Sequence, residues 1–203
     1  MNSEYRTKLV KNETEILLIG PCSFKKNDHF TQLAKKLKVI AIDGGQNQID
    51  RSNIDLSIGD GDSSNEEMDI KLKIDKDQSD LAAALALLGS EKRKIYAFGF
   101  LGARRDHEWI NLGELFNFVH KSNSIVELDE HHTFYPRGTH KLNLLGTFSL
   151  LSLRENDISI SGKCKYILNT PKRFMPLSSH GLSNEGHGQC LITSTEAILI
   201  SRN

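Results

Sequence analysis

Four motifs that carry aspartate follow one another between residues 43 and 107, each at a point where an apolar run ends. They read Asp-Gly-Gly-Gln-Asn (43–47), Gly-Asp-Gly-Asp-Ser-Ser (59–64), Lys-Asp-Gln-Ser-Asp (76–80) and Arg-Arg-Asp-His (104–107). Carboxylates gathered in one place repel one another unless a cation neutralises them. A divalent metal on a nucleotide is the obvious cation, because hard oxygen ligands suit Mg²⁺. The motifs therefore predict an enzyme.

The elements that must position these motifs alternate between strand and helix in the first 120 residues. Strand patterns cover residues 15–20, 39–43, 55–59 and 94–98, with a weaker one at 70–74, and helical patterns cover 28–37, 78–88 and 106–120. This alternation predicts a Rossmann-like α/β fold with a mainly parallel sheet and helices on its faces. Ligands bind at the carboxyl ends of the strands in such sheets. All four motifs fall on that edge.

The sequence changes character after about residue 122. Short β-type runs separated by turns follow, and long amphipathic helices are absent from the pattern. We therefore expect an α/β domain over residues 1–122 and an all-β sandwich or barrel over residues 123–203. The predicted strands of the second domain cover residues 124–128, 132–135, 142–145, 148–153, 158–160, 165–168, 188–192 and 197–201.

Composition limits the other possibilities. Lysine plus arginine balances aspartate plus glutamate at 26 each, so nucleic acid is not expected as the main partner. Cys22, Cys164 and Cys190 are widely spaced, which argues against a disulfide framework or a structural zinc site. The polar N-terminus shows no signal-peptide pattern, and no apolar run approaches the length of a bilayer span. We expect a cytoplasmic protein.

The motif at 59–64 has two readings. In an extended segment, Asp60 and Asp62 project to the same side and could bind Mg²⁺ directly or through water, while the flanking glycines would let a phosphate chain approach the backbone. Alternatively, Asp-Gly forms a turn and the following serines begin a helix-capping box. Taken alone, the motif slightly favours the second reading.

The motif at 76–80 directly precedes a predicted helix rich in alanine and leucine. Asp77 could be the N-cap of this helix, with Asp80 in its first turn, where both would satisfy free amides and complement the helix dipole. In the functional reading, Asp80 serves a metal or an attacking hydroxyl, and Lys76 serves phosphate charge. The capping reading is the commoner one for an isolated motif.

The three remaining segments differ in how strongly they indicate a functional role. Glycines and two consecutive arginines, Arg104 and Arg105, at the start of a helix are typical of an anion site, with Asp106 as a possible helix cap. The turn at 43–47 is either a simple strand-to-helix connection or backbone wrapped around a nucleotide. Residues 180–185 form either a hairpin loop or a set of hydroxyl and amide contacts to a small molecule.

Taken in order, these segments resemble the thiamine pyrophosphokinase family. That family shows an Asp-Gly-Gly-x-Asn turn, a Gly-Asp-x-Asp-Ser loop, a helix start with Lys-Asp-x-Thr/Ser-Asp, another with Gly-Gly-Arg-x-Asp-His and a later Asn, and a Ser-Asn-Glu turn. The matching segments here are 43–47, 59–63, 76–80, 102–111 and 183–185. Gly61 stands where the family often has an aromatic residue, Ala103 replaces a glycine, and Ser79 replaces threonine. The ordered set favours the functional reading of every motif.

The resemblance implies an N-terminal α/β domain, a C-terminal β-sandwich, and a homodimer that holds thiamine near the subunit interface. It implies transfer of the pyrophosphoryl group of ATP to the thiamine hydroxyl, which yields thiamine diphosphate and AMP, with Mg²⁺ as cofactor. A related pyrophosphokinase for another alcohol, such as a pterin, and a non-catalytic nucleotide or thiamine sensor are the alternatives. A sensor would not need so many mutually repelling carboxylates.

The resemblance also assigns roles to individual residues. Asp60, Asp62 and Asp80 would surround Mg²⁺, and Asp80 would also orient the attacking hydroxyl or accept its proton. Arg104 would stabilise charge on the transferred group, assisted by Lys76 and Arg105. Asp106 would hold the site together or approach thiamine. The other residues carried over are Asp43, Gly44, Gly45, Asn47, Lys76, Arg105, His107 and Asn111 on the nucleotide side and Ser183 and Asn184 on the thiamine side.

Overall fold

The computed structural model describes residues 3–62, 67–73, 75 and 77–202. Ser63, Ser64 and Lys76, which belong to two of the aspartate motifs, lie outside the described residues. The chain divides into two units, residues 1–114 and 115–203. Within the described part, no helix combines the length and the apolar character needed to cross a membrane.

Among the described residues of the first unit, five strands pair in parallel, in the order β5–β1–β2–β3–β4. The strands are β1 (Glu15–Ile19), β2 (Lys38–Ile42), β3 (Leu56–Gly59), β4 (Ile70–Lys71) and β5 (Lys94–Phe98). The helices are α1 (Ser3–Lys11), α2 (Asp28–Lys36), α3 (Asp80–Leu88) and α4 (Arg105–Ser122), which begins in this unit. The predicted mixed α/β class is confirmed.

Continuous apolar runs place the inner strands in the core. All side chains of β1 except that of Glu15 are buried, as expected for a parallel strand covered on both faces. One cluster packs Phe30 and Leu33 of α2 against Leu17, Val39 and residues of β5. Because β2 and β3 pair in parallel, their carboxyl ends meet at one edge of the sheet, where the aspartate motifs follow.

The start of α3 differs from the sequence prediction. Ser79 is its N-cap, and the Ser79 Oγ accepts the Ala82 N–H at 3.0 Å. The prediction that Asp77 caps this helix is wrong, because Ser79, directly before the first helical residue, makes the capping bond instead. Asp80 is consequently the first helical residue. Helix α1 was not predicted at all.

The second unit is antiparallel, with strands in the order β10–β9–β11–β8–β12–β7–β6. Its core cluster is formed by residues of β8 to β12, including Phe148, Ile158 and Ile192. The strands are β6 (Ile125–Leu128), β7 (His132–Tyr135), β8 (Gly138–Leu151), β9 (Asn156–Cys164), β10 (Leu168–Phe174), β11 (Asn184–Ser194) and β12 (Ile198–Arg202).

Two strand predictions in this unit are corrected. The run at 142–145 and the first four residues of the run at 148–153 belong to one 14-residue strand, β8, which continues through Gly146 at a φ of +77°. The run predicted at 165–168 contributes only its last residue to a strand, because β10 begins at Leu168. Pro171 within β10 hid this strand, yet a proline is tolerated on an edge strand that pairs on one side only.

Candidate active site at the carboxyl edge of the parallel sheet

A cavity of about 370 Å³ opens at the edge of the sheet in the first unit. Residues from four of the chain segments singled out by the sequence line it. Asp43 follows β2, Asp60 and Asp62 follow β3, Asp80 begins α3, and Arg104 precedes α4. The other lining residues are Pro21, Ile42, Ser79, Leu81, Phe100, His107 and Asn111.

Three of these carboxylates converge. Asp43, Asp60 and Asp80 each offer a carboxylate oxygen, and these oxygens lie within 4.8 Å of one another. All three residues are partly buried, so water screens their mutual repulsion less than at an open surface. Hard oxygen donors at this spacing suit a divalent cation such as Mg²⁺.

The backbone around Asp43 is shaped for this convergence. Asp43 has a φ of +54°, a left-handed conformation that aspartate tolerates better than most residues. A side chain on Gly45 would collide with the carbonyl of Ile19, and one on Gly59 would lie 3.0 Å from the Cα of Asp43. Glycine at these two positions lets the turn at Asp43–Asn47 press against β1 and β3. The motif's glycines thus bring Asp43 to the acidic cluster.

Asp62 lies at the edge of this arrangement. It is exposed and lines the cavity, and its N–H donates to the Asp60 Oδ1 at 3.2 Å. Among the described residues, the three convergent carboxylates include Asp43, whereas Asp62 is the third one expected from the sequence. The sequence places Asp43 after a buried strand and predicts it as a nucleotide contact rather than as a member of the carboxylate cluster.

Arg104, which lines the cavity, forms a two-point ion pair with Asp106, which is not among the described lining residues. The Arg104 Nε donates to the Asp106 Oδ1 at 3.2 Å, and the Arg104 Nη2 donates to the Asp106 Oδ2 at 2.6 Å. Both side chains are mostly exposed. The hydrogen bond from Arg104 is the main reason that the pKa of Asp106 lies below its ordinary value, and the same bond raises the pKa of Arg104. The pair fixes one edge of the guanidinium and leaves Nη1 for other acceptors.

We expect Arg104→Ala to raise the pKa of Asp106 towards its ordinary value. The pair stabilises the folded chain above the unfolded pKa of Asp106, and this contribution is lost as the pH falls through the lowered folded pKa. A ¹³C NMR titration of the carboxyl carbon measures the shift. Asp157, whose pKa is lowered by Arg173 in the same way, serves as the internal control and should not move. An unchanged titration of Asp106 in Arg104→Ala would contradict this interpretation.

The first turns of α4 fasten the loop that carries Arg104. The Asn111 Nδ2 donates to the carbonyl of Phe100 at 2.9 Å, and the Gly102 N–H donates to the Glu108 Oε1 at 2.6 Å. Sequence reasoning missed Glu108, because its partner is a backbone amide six residues away. Arg105 is 90% exposed, and its Nη1 lies 3.6 Å from the Glu108 Oε2.

The other residues predicted on the nucleotide side occupy different environments. His107 and Asn111 line the cavity. Gly44 and Gly45 are buried in the turn after β2, whereas Asn47 at its end is exposed. Among the described residues that line the cavity, Arg105 and Asn47 do not appear.

The thiamine-side candidates lie in the second unit. Asn184 is buried, and its side-chain amide is engaged with backbone: Oδ1 accepts the Tyr166 N–H at 2.9 Å, and Nδ2 donates to the Tyr166 carbonyl at 2.9 Å. Ser183 is exposed, with a φ of +56°. A small cavity of about 60 Å³ adjoins Asn184, and its lining includes Tyr166, His180 and Leu182.

One comparison with known proteins matches a family model. The family model described as "Thiamin pyrophosphokinase, catalytic domain" matches residues 30–127. A comparison with curated proteins gives no match.

Solved structures show the same fold. The thiamine pyrophosphokinase from Bacillus subtilis is 23% identical, with 93% of this chain and 99% of that chain covered at a TM-score of 0.73. The enzyme from Geobacillus thermodenitrificans is 19% identical, with 93% and 97% covered and a TM-score of 0.73. The enzyme from Candida albicans is 15% identical, with 95% and 89% covered and a TM-score of 0.72. At these identities the likeness establishes the fold.

Proposed function

Residues 30–127 match the model of the thiamin pyrophosphokinase catalytic domain, and we propose that the chain belongs to this family and that the cavity at the sheet edge performs its reaction. The chain is an enzyme that transfers the pyrophosphoryl group of ATP to the hydroxyl of thiamine, which gives thiamine diphosphate and AMP. The observation that carries the proposed arrangement is the convergence of Asp43, Asp60 and Asp80 in a cavity that Arg104 also lines.

The donor set fits the Mg²⁺ that accompanies ATP in such transfers. Three carboxylate oxygens within 4.8 Å of one another suit a hard divalent cation, and we propose that Asp43, Asp60 and Asp80 hold it. Asp62, predicted as a further ligand, is proposed to contact the Mg²⁺ ion through water at the rim of the cavity. When bound, the ion neutralises phosphate charge.

The chain's own residues have the remaining tasks. The thiamine oxygen forms a bond to the β-phosphorus of ATP, the bond from that phosphorus to the α-phosphate bridging oxygen breaks, and AMP leaves with the electron pair. We propose that Asp80 orients the attacking hydroxyl and accepts its proton. Arg104 stabilises charge on the transferred group and on the departing AMP. Such stabilisation lowers the barrier most when the donors are already oriented before the reaction.

The other assignments follow the order of the motifs. We propose that Gly44, Gly45, Asn47, His107 and Asn111 contact the nucleotide, with Lys76 and Arg105 supplying positive charge to the phosphates.

The Rossmann-like first domain (1–122) would bind ATP, and the second (123–203), a β-sandwich, would bind thiamine and form a homodimer in the cytoplasm. Ser183 is proposed to contact thiamine directly, whereas Asn184 would act through the Tyr166 backbone that it holds. Sedimentation measurements test the dimer.

The assay that tests the function uses the full chain with ATP, Mg²⁺ and thiamine. We expect AMP and thiamine diphosphate in equal amounts, because both phosphoryl groups move in one step. Appearance of ADP, or AMP formation that does not require thiamine, would contradict the assignment. Thiamine replaced by a pterin alcohol is the control, and turnover with the pterin alone would identify a related pyrophosphokinase instead.

A further inference from the structure

Glu108 is bonded twice to the loop that carries Arg104. Its carboxylate Oε1 accepts the Gly102 N–H at 2.6 Å, and its own N–H donates to the Arg104 carbonyl at 3.0 Å. The Glu108 side chain is 19% exposed, in contrast to 90% for its neighbour Arg105. A charged carboxylate that accepts a backbone N–H forms a short and comparatively strong hydrogen bond.

The loop between β5 and α4 needs such a restraint. Gly102 has a φ of +100°, a conformation open mainly to glycine, so local chain preference does little to fix it. The Arg104 side chain is 68% exposed, and Asp106, with which it pairs, is itself 63% exposed. A long exposed side chain loses conformational entropy when it settles on a phosphate, and this cost falls when its backbone is already fixed.

The geometry points to Glu108 as a positioning residue for Arg104. Its carboxylate holds the backbone at Gly102, two residues before Arg104. The backbone bond from residue 108 to the Arg104 carbonyl is an ordinary bond of the first turn of α4 and does not depend on the Glu108 side chain. Through its bond to Gly102, Glu108 sets where the guanidinium projects into the cavity, without contacting substrate itself. The contact of Glu108 with Arg105, at 3.6 Å and on an exposed guanidinium, adds little. This inference rests on the role proposed for Arg104.

A double-mutant cycle tests the inference. Glu108→Ala should lower kcat for AMP formation by about 10- to 100-fold, the effect expected when a catalytic group is displaced by about 1 Å. The KM for thiamine should change less than threefold. Since Glu108 acts through Arg104, the double variant with Arg104→Ala should be no slower than Arg104→Ala alone, within about twofold.

The conservative variant provides the rescue. Glu108→Gln keeps an oxygen acceptor for the Gly102 N–H and should recover kcat to within a few-fold of the unmodified chain. Asp28→Ala is the matched control, because Asp28 is an exposed carboxylate in the first turn of α2, and its replacement should leave kcat unchanged. Thermal unfolding of every variant reports on the fold.

Each outcome decides the matter. If the losses in kcat of Glu108→Ala and Arg104→Ala multiply in the double variant, Glu108 is a general structural residue and the inference is overturned. A lowered melting temperature of Glu108→Ala with unchanged kcat would overturn it as well. An Arg104→Ala variant with normal kcat would overturn it too, since no positioning of Arg104 would then matter. Failure of the proposed function is distinguishable, because the unmodified chain itself would then form no AMP from ATP and thiamine.

Discussion

Replacing Asp80 with asparagine should lower kcat for AMP formation by about 10³-fold, the order seen when one preorganised electrostatic group is removed. Asp80 combines two proposed tasks, because its oxygen belongs to the convergent carboxylate set and its position at the start of α3 faces the cavity. Asparagine keeps the size of the side chain but neither the charge nor the basicity. We expect the loss mainly in kcat.

The same variant should be more stable than the unmodified chain when Mg²⁺ is absent. Removing one of three carboxylates whose oxygens lie within 4.8 Å relieves repulsion. A gain of about 1 kcal/mol corresponds to a rise in melting temperature of about 2–4 °C for a chain of this size. Active sites commonly sacrifice stability in this way. Calorimetry with and without Mg²⁺ should show that the ion raises the melting temperature of the unmodified chain more than that of Asp80→Asn.

Asp77→Asn is the matched control for Asp80→Asn. Asp77 lies three residues earlier in the same motif, is exposed, and is not among the residues that line the cavity, so its replacement should leave kcat within about twofold. Asp62→Asn should fall between the two, because Asp62 lines the cavity outside the convergent set. Equal losses in Asp77→Asn and Asp80→Asn would argue against a specific role for the cluster.

Short apolar runs bounded by Gly and Asp predicted the first unit well. The runs at 15–20, 39–43, 55–59 and 94–98 became β1, β2, β3 and β5 to within one or two residues. A strand buried on both faces has little freedom in its composition, so its sequence identifies it. Because parallel strands end at a common edge, the placement of the aspartate motifs followed from the strands alone.

Side-chain partners were harder to predict than elements. Asp43 joins the acidic cluster through a φ of +54° and the close approach allowed by Gly45 and Gly59, which are properties of folded backbone. Asn184 was predicted as an amide contact for a small molecule, but its amide is engaged with the backbone of Tyr166, 18 residues earlier. A sequence shows that an amide is present without showing which backbone groups will reach it.

The antiparallel unit was the least predictable in detail. Gly146 and Pro171 are turn signals by type, yet both lie inside strands, β8 and β10. The long pairing of β8 with β11, from Gly138 to Phe148, outweighs the local preference of Gly146. A short window of sequence does not reveal pairing between strands that are far apart along the chain.

A single buried asparagine should carry much of the stability of this second unit. Asn156 is 1% exposed. Its Nδ2 donates to the carbonyls of Glu196 and Ala197 at 3.3 and 3.1 Å, and its Oδ1 accepts the N–H groups of Thr195 and Glu196 at 3.0 and 3.1 Å. The side chain thus replaces backbone pairing in the turn between β11 and β12. Asn156→Ala should lower the free energy of unfolding by about 3–5 kcal/mol, because several buried polar groups lose their partner together.

Urea unfolding followed by far-UV circular dichroism measures this loss as a shift of the midpoint. Asn169→Ala is the control, since Asn169 is exposed on the edge strand β10 and its removal should change the free energy by less than about 0.5 kcal/mol. Asn156→Asp should also be destabilising, because it keeps the acceptor for the two N–H groups but replaces the donor with an oxygen facing two carbonyls. A loss below about 1 kcal/mol in Asn156→Ala would mean that water enters the turn and satisfies the freed backbone groups. The turn would then be held by the β11–β8 and β12–β8 pairings rather than by the asparagine.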